Sequence, residues 1–121
     1  MTYKMTIPGR LPGLNEMINT ARTNRYKAAE EKKEFTKLCS YYSKIYHIPP
    51  VQKPICIDVT WIEKNKKRDL DNISCGIKYI LDGLQDSGVI GGDGWKFVYG
   101  IVHHFKTDNN EPRIVVEISD D

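Results

Sequence analysis

The sequence predicts an α/β chain of the α+β type, one compact domain over residues 1–121 with the order β-α-β-α-β-β. Three observations carry that prediction. Short stretches alternate apolar and polar residues at the start, in the middle and near the end of the chain. Two longer stretches with helical spacing separate them. The last two strand-like runs follow one another with no helix between, which implies a mixed, mostly antiparallel sheet with two main helices.

Taken in order, Tyr3, Met5 and Ile7 alternate with polar neighbours before Pro8, Gly9, Pro12 and Gly13 break the chain into a loop. Residues 26–46 lack Pro and Gly and place Ala28, Phe35, Leu38, Tyr42 and Ile45 near one face, an amphipathic helix with a basic outer side. Pro49 and Pro50 end that region. Ile55, Ile57, Val59 and Trp61 then alternate with Cys56, Asp58 and Thr60 as a half-buried strand. Residues 71–86 read as a second helix despite Gly76 and Gly83, followed by a flexible loop with Gly91, Gly92 and Gly94. Residues 97–105 and 113–118 are strand-like, with Asp108–Glu111 expected as the turn of a hairpin.

With 40% hydrophobic and 28% charged residues, the composition is globular, and no apolar run approaches the roughly 18–20 residues of a transmembrane helix. The first residues lack the apolar core of a secretory signal, and Cys39, Cys56 and Cys75 are odd in number and widely spaced. A cytoplasmic location with reduced thiols is therefore expected. His103 and His104 adjoin, but the cysteines lack the ligand spacing of a zinc site. No dinucleotide or P-loop glycine pattern is present. The net charge of +2 hides a polarity: residues 1–68 hold 14 Lys/Arg against 6 Asp/Glu, and residues 69–121 hold 4 against 10. Such asymmetry points toward nucleic acid, although two halves can also neutralise one another across a folded surface.

The stretch RDLDN, residues 68–72, sets Asp69 and Asp71 directly after Lys64, Lys66, Lys67 and Arg68. At about 100° per residue along the second helix, Lys78 and Asp82 fall about 20° to either side of Asp71, while Ile73, Ile77, Ile80, Leu81 and Leu84 gather on the opposite face. Aspartates near a helix start are ordinary caps, and Lys78 with Asp82 is an ordinary i, i+4 pair. Two carboxylates at one helix start repel each other, however, unless a cation lies between them. Asp93 stands among glycines, where the chain can bend back toward that pair. Three carboxylates suit Mg²⁺, or Mn²⁺ in its place, and the ion in turn suits a phosphodiester gripped by the basic run. Lys78 is placed to stabilise charge on the phosphate or the leaving oxygen.

The strings KKRDLDNI, KYILDGL and GVIGGDGW, with the opening strand, the Pro-Gly loop carrying Asn15, the first helix and the closing strands, resemble the RusA family of Holliday-junction resolvases common in bacteriophages and prophages. The resemblance implies a homodimeric, Mg²⁺-dependent endonuclease that nicks four-way DNA junctions in recombination and repair, leaving 5′-phosphate ends. It implies Asp69, Asp71 and Asp93 as catalytic metal ligands and Lys78 as the catalytic lysine; Asp82, on the same stripe, is the candidate outer-shell or second-metal ligand. In the family's enteric prototype the lysine stands four residues after the second motif aspartate. Here Cys75 holds that place and Lys78 comes three residues later, about 60° around the helix. Gly92 replaces an acidic residue before the third aspartate, which leaves that metal contact weaker or supplied by Asp82.

Arg68, Lys67, Lys66 and Asn72, with Arg22 and Arg25 in the early loop, are the expected DNA contacts. A four-way junction has approximate two-fold symmetry, so a C2 dimer supplies two matching cuts, and residues 95–105 are the candidate interface, with packing in the sheet core an equal alternative for their side chains. Trp95 is expected to be a buried anchor, with stacking on a DNA base as the alternative. The competing reading is a non-catalytic protein that binds branched or single-stranded DNA, and a weaker one is a phosphotransferase acting on small nucleotides.

Overall fold

The computed structural model describes residues 1–120. Eight elements follow one another: β1 (Thr2–Pro8), α1 (Leu14–Thr23), α2 (Arg25–Ile45), β2 (Ile55–Glu63), α3 (Leu70–Ser74), α4 (Ile77–Asp86), β3 (Val98–Thr107) and β4 (Arg113–Ser119). The strands make one sheet in the order β1-β4-β2-β3, with β1/β4 and β4/β2 antiparallel and β2/β3 parallel. The fold is thus the α+β architecture with a mixed, mostly antiparallel sheet that the strand pattern implies.

Strand parity builds the core. Ile57, Val59 and Trp61 of β2 stand opposite Ile118, Val116 and Ile114 of β4, and Met5 and Ile7 of β1 join the same rows, all buried. Ile80 and Leu84 of α4, Cys39 of α2 and Leu11 close over that face. Residues of opposite parity, such as Asp58, Thr60 and Glu117, are only partly covered or exposed. The two long helices cross where a Cβ on Gly83 would lie 2.5 Å from the Cys39 Cβ. This close approach is why Cys39, Ser40 and Ser43 form the buried seam of α2, while Phe35, Leu38 and Tyr42 flank it and Ile45 lies exposed. Burial, with a lesser contribution from the nearby Asp82 charge, pushes the Cys39 thiol up to about 12.

Three expectations are corrected. The loop after Gly13 is a helix: Gly13 N–H donates to Glu16 Oε1 at 3.3 Å and starts α1, so Arg22 lies in its last turn and Arg25 opens α2. The second helix is two. Gly76 N–H donates to Ile73, Lys78 N–H to Cys75 and Tyr79 N–H to Gly76, so the ladder tightens to i, i+3 spacing between α3 and α4 where Gly76 packs on the Trp61 ring. The closing strands are not a hairpin, because β2 lies between β3 and β4. Asp108–Glu111 still turns the chain, with Asp108 Oδ1 accepting from Asn110 and Glu111 N–H, but the turn steps over the end of β2.

Candidate active site

The RDLDN stretch leaves the end of β2 and enters α3. Its five residues divide into two that are tied down and two whose carboxylates stay accessible, with Leu70 exposed between them. Arg68 is tied most firmly: Nε and Nη2 donate to Glu63 Oε1 and Oε2 at 2.9 and 2.8 Å, and Nη1 donates to the Leu11 carbonyl at 3.1 Å and to Glu16 Oε1 at 3.4 Å. Asn72 Oδ1 accepts from Asn15 N–H at 3.0 Å, at the start of α1. Gly13 packs so tightly beneath it that a Cβ would lie 2.5 Å from Asn72 Oδ1.

Asp69 is the N-cap residue of α3, and its carbonyl accepts from Ile73 N–H at 3.1 Å, yet its carboxylate makes no capping bond. Among the described residues that carboxylate has no partner. Asp71 is exposed, and its Oδ1 accepts from the adjoining Asn72 N–H at 2.9 Å. A cavity of about 730 Å³ opens beside Asp69, with Leu70, Ile73 and Phe105 on its apolar wall and Lys66 and Lys106 at its polar side. Lys64, Lys66 and Lys67 are exposed, as are Arg22 and Arg25.

A second cluster is centred on Lys78. Its Nζ lies 3.1 Å from Asp82 Oδ1 and 3.6 Å from Asp93 Oδ2. Asp93 is held by packing of its loop, since Gly91 and Gly92 press so closely on the Phe97 ring that a Cβ on either would come within 2.9 Å of it. The loop is therefore built to a shape, where its glycines alone suggest flexibility. The hydrogen bond to Asp82, helped by the charges of Asp82 and Asp93 and opposed by partial burial, holds the Lys78 ammonium above its ordinary pKa. Lys78 is accordingly a standing cation near neutral pH and no general base.

Asp69, Asp71 and Asp93 do not meet in a ready-made cage: among the described residues no group of three or more His, Cys, Asp or Glu side chains is arranged to hold a metal ion. Asp82 and Asp93 share the Lys78 ammonium instead. The donor chemistry nonetheless fits magnesium, which is usually held by one or two carboxylates together with substrate phosphate rather than by an all-protein cage. Asp69, unpartnered, and Asp71, exposed, have that character.

Glu63 escapes a reading based on motifs, though it carries a signal. It continues the inward parity of Ile57, Val59 and Trp61, where a lone carboxylate requires a cation. Trp95 is corrected as well: it is 98% exposed and not a buried anchor within one chain.

The turn thus carries two exposed carboxylates bordered by exposed lysines. A profile of the RusA endodeoxyribonucleases matches residues 8–119, and the chain belongs to that family. Among curated proteins, none matches the chain significantly.

Proposed function

We propose that this protein is a Mg²⁺-dependent, structure-selective endodeoxyribonuclease that resolves four-way junctions by paired symmetric nicks, as a homodimer and in the cytoplasm. The observation that carries the reading is the family match across residues 8–119, with RDLDN presenting Asp69 and Asp71 outward. Asp69 and Asp71 would hold the ion, with Asp93 as third ligand once its contact to Lys78 loosens and Asp82 as a further one. The ion, when bound, supplies a Lewis acid at the attacked phosphate. Lys64, Lys66 and Lys67 hold backbone phosphates, and Lys78 offers positive charge to the phosphate oxygens or the departing 3′ oxygen. Water attacks phosphorus in line, so the nick carries a 5′-phosphate and a 3′-hydroxyl.

The dimer is supported by the outer edge of β3. That strand ends the sheet and leaves Tyr99, Ile101 and Val102 exposed, without the proline or dense charge that usually protects an open edge. Cleavage of an end-labelled synthetic four-way junction, with linear duplex as control, tests the proposal. Mg²⁺-dependent nicks at symmetric positions in opposed strands are expected. Tight binding without nicking, in Mg²⁺ or Mn²⁺, would identify a binding protein instead.

A further inference from the structure

We infer that Glu63 and Arg68 form a positioning pair that holds the Asp69–Asp71 turn in register with the central strand, and that Arg68 serves this clamp and not the DNA phosphates. Glu63 is the last residue of β2, an inner strand of the sheet, and stands opposite Thr107 of β3. It is only 8% exposed. A carboxylate so placed requires a partner, and Arg68 meets it with two parallel bonds at 2.9 and 2.8 Å.

The remaining guanidinium nitrogen faces inward too, toward the Leu11 carbonyl and Glu16 Oε1. With its side chain 14% exposed, Arg68 could reach a phosphate only by giving up these partners. Lys64, Lys66 and Lys67, exposed in the same run, are under no such restriction. Between the two clamp residues the chain is already compact, since Asn65 Oδ1 accepts from Lys67 N–H at 3.0 Å. Past the aspartates, Asn72 provides the second anchor through Asn15 N–H. The turn is thus pinned immediately before Asp69 and immediately after Asp71. A flexible D-x-D segment would have to be ordered at the moment of reaction; a pinned one is ordered beforehand.

The activity readout of the test rests on the nuclease reading above, and the binding readout does not. Glu63→Gln, Arg68→Gln and Arg68→Lys are compared with Lys66→Gln, each first checked for a wild-type circular dichroism spectrum. Saturating single-turnover cleavage of a synthetic four-way junction is measured, together with junction affinity in EDTA across a series of salt concentrations. The three clamp variants are expected to cut about 10- to 100-fold more slowly. Their metal-free affinity should stay within about twofold and their salt slope unchanged, while Lys66→Gln lowers the slope by about one. Arg68→Lys should fare no better than Arg68→Gln, because an ammonium cannot replace the fork.

Overturning results are a salt slope lowered by about one in Arg68→Gln, rescue of cleavage by Arg68→Lys, or normal cleavage in the clamp variants. If Glu63→Gln does not fold, the two Arg68 variants decide. A wild-type protein that binds the junction without cutting it removes the nuclease reading and leaves the salt slope of Arg68→Gln to judge the clamp.

Discussion

Around the acidic turn, side chains of similar polarity have opposite duties. Arg68 and Asn72 bond inward to Glu63 and to Asn15 N–H, while the Asp69 carboxylate is left without a partner among the described residues. Lys78 stands apart, its ammonium shared between Asp82 and Asp93. A lysine kept charged in this way acts through its field, so Lys78→Gln is expected to slow junction cleavage by on the order of 100-fold with little change in junction affinity. Single-turnover kinetics with a parallel binding titration would check this. At this scale the Lys78–Asp82 step of four is legible, because short-range helical spacing survives most folding outcomes. The inward turn of Arg68 is not, because it depends on Glu63 and Leu11 converging from separate parts of the chain.

Elements were legible wherever parity or capping spoke locally. The alternation around Ile57, Val59 and Trp61 announced β2, and the long polar-apolar run announced α2. The break between α3 and α4 was hidden, because it arises where Gly76 meets the Trp61 ring, a tertiary contact. The pairing of β3 with β2 instead of β4 is likewise a matter of topology, to which the turn at Asp108–Glu111 is indifferent. Two predictions belong here. Gly83→Ala places a methyl against Cys39 at the crossing of α2 and α4 and should cost about 1–3 kcal/mol in urea unfolding. The second concerns His103, whose Nδ1 accepts from Trp61 Nε1 at 2.9 Å and ties β3 to β2.

Burial, with a smaller effect of His104 and against the pull of Asp58, lowers the His103 pKa below its ordinary 6.5. The unfolded chain therefore binds this proton more readily than the folded one. The stabilisation is complete above about pH 6.5 and is lost as pH falls through the lowered folded value. As pH falls below about 6.5 the structure should therefore lose stability at this site. His103→Gln, whose amide oxygen accepts at any of these pH values, should remove that part of the loss, as read from urea midpoints.

For the whole molecule, the outer edge of β3, which among the described residues pairs in the sheet with β2 alone, is the feature with the widest consequence. Trp95, 98% exposed, and Ile101, 42% exposed, lie in the stretch that leads into and forms β3. Exposed apolar residues along an open edge mark a surface for association. Ile101→Glu should shift the protein toward monomer in sedimentation equilibrium and reduce paired nicking in the same proportion. An assembly that stays unchanged would place the interface elsewhere. In the sequence, residues 95–105 suit core sheet packing as well as an interface, because parity alone does not distinguish an edge strand from an inner one. That distinction came only with the strand order.

The most direct test places wild type and Asp71→Asn side by side on a four-way junction with and without Mg²⁺. Symmetric nicks by wild type are expected only when Mg²⁺ is present, and no nicks by Asp71→Asn despite junction affinity equal to or tighter than wild type. Normal cutting by Asp71→Asn, or a wild-type protein that cuts equally well without divalent metal, would contradict this expectation.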